Sequence, residues 1–549
     1  MGKTKGSGTN PLSDARKSIQ EGESKTKRKR RKAGDDGSRA TTKADLKASE
    51  LWHRKSGAGY QLFVEYYAKQ PKGIVVVDSS EDDILRQNEL LCTFKDSSEK
   101  KRAQGKGLSR AAKRKRRKKG KPSLELHDKE SDEPIISSLS ALVEGDRDMK
   151  NCSFALSPQF KSILEQNPEY KSISRFLHTM SNPLPLTLRI RHPSFLNLED
   201  KQLRAKEIKL QLKENFSNII DSAKYDKTKK TIYQALPKTN LNKFSLGKIC
   251  PELKDLVGDA TAQGIMARQE LGSMLPVMAL AGVEQLKYGV RVLDMCASPG
   301  SKTLQALEIV ATPPSEESTL KKGKIIANDV HPMCLDSLKD AVKRSGMVSS
   351  LTNRIRYTNY DASKYPTPPR AFDCIIADVP CSGDGTVRKD SHILPNWMPS
   401  ISNSLHALQL SILKRAIKLL KVGGVVAYST CSLNPIEDEA VVASALLWGN
   451  RFDEKCVELL DLPDSALLDI RCRSGVDNWL VADYKTKKID STCSTDVENM
   501  EDVTKLQWYE DFQSADDDNM AHVSKTMWPP EKKPREFKFR KMYPFTSAR

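Results

Sequence analysis

Between Val290 and Leu433 the apolar positions follow two alternating rhythms. Short β-prone apolar runs, Arg291–Met295, Lys324–Asn328, Arg354–Thr358, Cys374–Ala377 and Val425–Ser429, are separated by polar or small residues. Between them, Lys302–Val310, Met333–Ser345 and Leu405–Leu420 place apolar residues at helical spacing. Repeated strand–helix units predict an α/β fold, a doubly wound parallel sheet. Asn434-Pro435-Ile436-Glu437 carries the marks of a further helix start: a capping residue, proline at the first helical position and a glutamate three residues after the cap. Upstream the pattern predicts a smaller α+β region. Leu62, Phe63, Tyr66 and Tyr67 suit one helix face, Gly73–Val77 a strand, and Phe160–Leu164 a helix. Leu184–Ile190 alternates as a strand does, and Gln202–Phe216 has helical spacing. Gly264–Pro276 reads as a helix leading into the central sheet.

Charge adds a partner class. The 549 residues carry a formal net charge of +19, an excess that favours a polyanion, nucleic acid before membrane. Two basic runs, Lys25–Lys32 and Lys113–Lys119, concentrate it. Residues 1 to about 55, and an insert at about 96–132, have too few apolar residues to offset the entropy of ordering and are expected to be disordered. The runs suit nuclear import or phosphate contact, and solvated loops are the plainer reading. Phosphate contacts carry no base information, so the runs cannot confer sequence specificity. No apolar run approaches the roughly 20 residues that span a bilayer, and the N-terminus lacks the apolar core of a signal peptide. The 11 cysteines are scattered without a CxxC, which argues against a zinc ribbon and leaves most of them as core residues.

Candidate chemistry gathers at the strand ends. Cys381 follows the Cys374–Ala377 run within Asp378-Val379-Pro380-Cys381-Ser382-Gly383-Asp384-Gly385-Thr386, and Cys431 follows Val425–Ser429 within Ser429-Thr430-Cys431-Ser432. Open α/β sheets bind ligands at the carboxyl ends of their strands. The two thiols would therefore meet beside Asp378 in one crevice, although fifty residues separate them. Two such thiols suggest covalent catalysis, with disulfide exchange as the rival. Asp329, Asp361 and Asp378 each follow a predicted strand, where carboxylates accept well from ribose hydroxyls and base amines. A single carboxylate there is often just a helix cap. The strand–loop–helix junction Leu293–Thr303 holds small residues, Cys296, Ala297, Ser298, Pro299, Gly300 and Ser301, before Lys302. Small side chains admit a ligand close to the backbone, and the next helix offers free amides. It is neither a P-loop nor GxGxxG, and a tight structural turn is the competing reading.

These motifs, CASPGSKT, DVPCSGDGT and STCSLNPIEDEAVV, resemble those of the Nol/Nop/Sun family of RNA cytosine-5 methyltransferases, with DVPCSGDGTVRKD most similar to the eukaryotic tRNA branch. The likeness extends from Tyr60 to Pro530, broken by the basic insert, and takes in PLPLTLRI and GIMARQELGSMLP. It implies a Rossmann-like S-adenosylmethionine-dependent methyltransferase sheet with an N-terminal α+β RNA-binding region. Carried over by motif, Cys296–Lys302 with Asp329, Asp361 and Asp378 would bind S-adenosylmethionine. Cys431 would attack carbon 6 of the cytosine, Asp378 would hydrogen-bond the ring nitrogen, and Cys381 would help the carbon-5 proton leave. Lys302 and Arg388 would be cofactor-side or phosphate contacts, or else surface charges. The partner implied is RNA, tRNA ahead of rRNA, with no metal and no membrane. A monomer and the nucleus, nucleolus included, are expected.

The expected organisation is a basic arm at 1–55, an N-terminal RNA-recognition region at 56–245, a catalytic domain at 246–450 and a C-terminal extension at 451–549. Past Pro530 the resemblance stops. The family's next helix and its Gly-Gly-Phe-Phe strand are not in the sequence, which instead reads Lys532–Arg540 and ends at Arg549. The expectation is a splice variant or imperfect gene model lacking the last sheet strand. Each backbone group so left unpaired would cost about 1–3 kcal/mol. A catalytically weak RNA-binding protein is then the alternative to an enzyme.

Overall fold

A computed structural model describes residues 58–71, 158–191 and most of 196–530, with longer breaks at 223–230, 312–322, 461–472 and 484–505, and then 540–541. Both basic runs and the Gly73–Val77 strand lie outside the described residues. Helix α1 (Ala58–Lys69) buries Leu62, Phe63, Tyr66 and Tyr67, the face that the aromatic spacing predicts. Helices α2 (Pro158–Gln166) and α3 (Ser174–Ser181) pack beside it. Four strands, β1 (Thr187–Ile190), β2 (Ile220–Ser222), β3 (Ile232–Ala235) and β4 (Met266–Arg268), form an antiparallel sheet in the order β2-β3-β1-β4. Helices α4 (Glu199–Asn215) and α5 (Pro251–Ala262) cover it through Ala205, Ile208, Leu212, Leu253 and Val257.

The stretch read as one helix, Gly264–Pro276, is a strand followed by a helix. Met266–Arg268 pairs with Leu188–Ile190, and α6 (Leu271–Gly282) starts after it. A partner 78 residues away in the register pair Ala267–Arg189 overrides the local helical spacing. This small sheet is tied to the larger one by charge. Arg189 of β1 and Arg191 just past it each reach Glu308, at 2.7 and 2.9 Å, and both arginines are buried.

The central sheet contains β5 (Arg291–Asp294), β6 (Lys324–Asn328), β7 (Ile355–Thr358), β8 (Phe372–Asp378) and β9 (Leu420–Ser429), all parallel, in the order β7-β6-β5-β8-β9. Helices α7 (Ser301–Val310), α8 (Pro332–Arg344) and α9 (Pro399–Leu419) alternate with them. Both faces are covered, which is why the strands read as continuous apolar runs. Val292 and Ile376 face Leu304, Leu307 and Leu338 on one side, while Leu293 and Ile375 face Ile412, Ala416 and Leu419 on the other. Among the described residues, β9 lies at the edge of this sheet. From β5 the chain moves outward to β6 and β7, then returns to β5's other flank as β8. The order reverses between β5 and β8, and an open α/β sheet has its crevice at that point.

The predicted helix start at Asn434 is not one. Residues 435–438 form turns, and α10 (Glu439–Gly449) begins one turn later with Asp438 at its cap. Asn434 Oδ1 accepts from Ile436 N at 3.0 Å, a local Asx turn. Glu437 points inward instead of back to the cap, for a reason given by its partners below.

Candidate active site

Two thiols meet beside the switch point. Cys381, three residues past β8, and Cys431, two past β9, have their Sγ atoms 3.0 Å apart, and Cys431 N donates to Cys381 Sγ at 3.3 Å. Cys431 is exposed and Cys381 half-buried. The loops can approach because glycine lines them. Gly385 N donates to Cys431 O at 3.0 Å, and a Cβ on Gly385 would stand 2.7 Å from that oxygen. Gly383 takes φ +75°, a left-handed conformation that glycine adopts without strain. The neighbouring Cys431 thiol, then burial, push the Cys381 thiol far above its usual range, so Cys381 holds its proton.

Asp378, the last residue of β8, stands beside them. Its Oδ1 accepts from Ser429 Oγ at 2.7 Å, across the register pair of β8 and β9, and its Oδ2 pairs with Lys302 Nζ at 2.7 Å. Lys302 therefore belongs to the site and is not a loose surface charge.

The loop after β5 forms the other wall. Gly300, at φ +104°, ends it, and a Cβ there would meet Leu338 Cδ1 at 2.2 Å. Asp329 fastens the loop from β6: Oδ2 accepts from Ser298 N at 3.2 Å and Oδ1 from His331 N at 3.1 Å. Cys296 is pushed far up by burial and then by Asp294, Asp329, Asp378 and Asp361, so it stays a neutral thiol. Asp361 thus shares the acidic surroundings, but its Oδ1 caps its own turn, accepting from Ser363 N and Oγ at 2.9 and 2.7 Å. For that oxygen the plainer reading, a cap, holds.

Asp294, not singled out from the sequence, is buried under this loop. Thr303 Oγ1 donates to its Oδ2 at 2.7 Å, and among the described residues its Oδ1 has no partner. Burial raises its pKa to about 7, with Thr303 and Lys302 opposing and Asp378 and Asp329 adding to the rise. An unfolded aspartate titrates near 3.9. The folded state therefore binds the extra proton from about pH 4 to 7, and the stability this gives is present below pH 4 and lost as pH rises through 7. Relative to wild type, Asp294→Asn is expected to gain a few kcal/mol of unfolding free energy between pH 4 and pH 8. Urea unfolding at both pH values checks this; parallel curves would refute it.

Arg388 is not the surface charge that was one reading of it. It is buried, with Nε donating to Asn182 O at 2.6 Å and Nη2 to Pro183 O at 3.0 Å, so it struts the loop after β8 against the end of α3. Two residues whose roles the sequence did not suggest are Asp384 and Glu437, both wholly buried behind the thiols. Their signal was weak: one carboxylate sits between two glycines after Cys381, and the other opens the acidic run Glu437–Glu439 after Cys431.

A parallel sheet whose switch point lies beside two thiols, a lysine–aspartate pair and a small-residue loop has the Rossmann-like fold of methyltransferases. Residues 281–472 match the family model described as 16S rRNA methyltransferase RsmB/F. The chain is similar to the multisite-specific tRNA:(cytosine-C(5))-methyltransferase of Saccharomyces cerevisiae, 39% identical over 247 residues, 42% of this chain and 33% of that one. It is also similar to the tRNA (cytosine(34)-C(5))-methyltransferase of Drosophila melanogaster, 36% identical over 48% of this chain and 33% of that one. With the Schizosaccharomyces pombe enzyme trm4b it shares 33% identity over 62% of its own length and 51% of the relative's. The chain thus spans between a third and about half of these relatives' length. Among solved structures it is similar to NSun6 from Pyrococcus horikoshii with SFG, at 17% identity and a TM-score of 0.37, over 53% of this chain and 86% of that one.

Proposed function

We propose that the chain transfers a methyl group from S-adenosylmethionine to carbon 5 of cytosine in RNA, tRNA ahead of rRNA. The observation that carries this reading is the pair of thiols 3.0 Å apart beside the Lys302–Asp378 pair. The residues present fit the cofactor. The loop ending at Gly300 carries only small side chains from Cys296 to Ser301, which admit a ligand close to the backbone, and the unpartnered Oδ1 of Asp294 adds acceptor capacity beside it. Residues 296–302, with Asp329 and Asp378, would hold it, and when bound it supplies an electrophilic methyl group.

Cytosine carbon 5 is a poor nucleophile until carbon 6 is attacked. Cys431, the exposed thiol, makes that bond, and the electron pair moves toward carbon 5 and ring nitrogen 3. The proton lost by Cys431 passes to that nitrogen, and Asp378 accepts a hydrogen bond from the resulting N–H, while Lys302 fixes the carboxylate's direction. After methyl transfer carbon 5 carries both a proton and the methyl group. Cys431 is by then a thioether, which removes the first cause of the rise at Cys381, and Cys381 gives its own proton to solvent. Its thiolate takes the carbon-5 proton, and the carbon–sulfur bond to Cys431 breaks, restoring the aromatic ring. The adduct divides one difficult step into two. A base in this crevice must first leave its stack.

The test is incorporation of labelled methyl from S-adenosylmethionine into total tRNA and, separately, rRNA, followed by nucleoside analysis. Label in 5-methylcytosine of tRNA supports the reading, and label confined to rRNA moves the substrate, a shift that the name of the matched family model makes worth measuring. Cofactor and RNA binding without transfer would leave a catalytically idle RNA-binding protein. The basic runs 25–32 and 113–119 support delivery to the nucleus and general attraction to RNA.

A further inference from the structure

Behind the thiols lie two buried carboxylates that the mechanism above does not use. Glu437 is wholly buried, and every hydrogen bond its carboxylate accepts comes from a residue that flanks a thiol or holds one that does. Its Oε1 accepts from Ser382 Oγ at 2.5 Å and Ser432 Oγ at 2.7 Å, the residues following Cys381 and Cys431. Its Oε2 accepts from Ser382 N at 2.9 Å and from Gln409 Nε2 at 2.8 Å, and Gln409 Nε2 also donates to Pro380 O at 2.9 Å, just before Cys381. Asp384, likewise wholly buried, takes the other side: Oδ1 accepts from Leu433 N at 2.7 Å and Ser432 Oγ at 3.0 Å. Its Oδ2 accepts from Trp397 Nε1 at 3.2 Å and from the hydroxyl of Tyr67 on α1.

Among the described residues neither carboxylate forms an ion pair. Two buried carboxylates without a cation are a poor way to stabilise a fold, since apolar residues of the same volume would do as well or better. What the pair does provide is direction. Burial raises Asp384's pKa, with Glu437 adding to it, so the cluster bears an electrostatic penalty that only its many donors offset.

We propose that Glu437 is the positioning residue of the two-thiol centre, with Asp384 in support: through Ser382 and Ser432 its carboxylate fixes the spacing of Cys381 and Cys431. The geometry accounts for the departure of residues 434–438 from the helix their sequence predicts, because a helical Glu437 would turn away from both serines. The inference rests on the two-thiol reading of the site, and its test is chosen to be independent of methyl transfer.

Phenylarsine oxide bridges two thiols only when they stand close together, and its binding is read by mass spectrometry and thiol titration. The full chain is expected to take one arsenical that Cys431→Ala abolishes. In Glu437→Gln the side chain keeps its size but turns an amide N–H toward groups that are themselves donors. Arsenical affinity is expected to fall at least tenfold, and kcat about a hundredfold, with KM for RNA changed less than threefold. Ser382→Ala removes only one hydroxyl, and covers the case in which Glu437→Gln fails to fold; about a fivefold loss of arsenical affinity is expected with normal S-adenosylmethionine binding. Unchanged arsenical affinity in a folded variant overturns the proposal. If methyl transfer is absent in the wild type but arsenical binding still depends on Glu437, the positioning role stands and the methyltransferase reading falls.

Discussion

Cys381→Ala is expected to turn the protein into a trap: RNA becomes attached to Cys431 and does not leave. Cys431→Ala should instead abolish both the adduct and methyl transfer, by on the order of 10^4-fold or more, as removal of a covalent nucleophile does. The asymmetry follows from position. Cys431 is the exposed thiol, free to reach a ring placed over the crevice, whereas Cys381 is half-buried and raised in pKa by its neighbour. A residue that ionises only after the first bond has formed can act only late. Without it, bond formation and methylation proceed while release stops. The measurement is a denaturing gel of protein with labelled RNA, run for wild type and for each single and double variant. A slow-migrating band with Cys381→Ala that disappears in the double variant is the expected result. A stable band with Cys431→Ala in its place would exchange the roles of the two thiols.

Much of this centre was legible because its parts obey local rules. β5, β6 and β8 are buried on both faces, so their apolar runs are unbroken and their ends are easily found, and the residues after those ends fall in one crevice. The loop at Gly300 was legible for a similar reason, since a left-handed turn against Leu338 demands a small residue. Where the reading failed, a distant partner outweighed a local preference. Met266–Arg268 is a strand because β1 pairs with it. Residues 434–438 carry helix-start chemistry, yet Glu437 has four donors waiting elsewhere. Arg388 could be read as a surface charge, but two backbone carbonyls of the segment after α3 take it inward. None of these partners is near in sequence. The bond between Tyr67 and Asp384 spans 317 residues, beyond any local pattern.

That bond also makes α1 part of the catalytic half of the molecule, which leads to the largest expected effect on stability. Phe63 is fully buried between α1, α2, α3 and the segment before α9. Its ring lies 5.5 Å from Trp397 edge-on, 4.7 Å from Tyr67, 6.0 Å from Phe176 and 6.3 Å from Phe160. Rings on every side cannot all move inward when one is deleted, so the cavity left by Phe63→Ala would persist. A cost of about 3–5 kcal/mol is expected, the usual range for removing a core aromatic. Leu210→Ala on the exposed face of α4, where the side chain is 53% exposed, should change stability by less than about 0.5 kcal/mol and serves as the control. Equilibrium unfolding in urea measures both. Because Trp397 and Tyr67 both donate to Asp384, the loss at Phe63 should also reach the thiols: methyl transfer should fail at lower urea than does the folding of β5–β8, followed by S-adenosylmethionine binding. If Phe63→Ala costs less than 1 kcal/mol, or if transfer and cofactor binding fail together, α1 is an appendage and the catalytic loops stand without it.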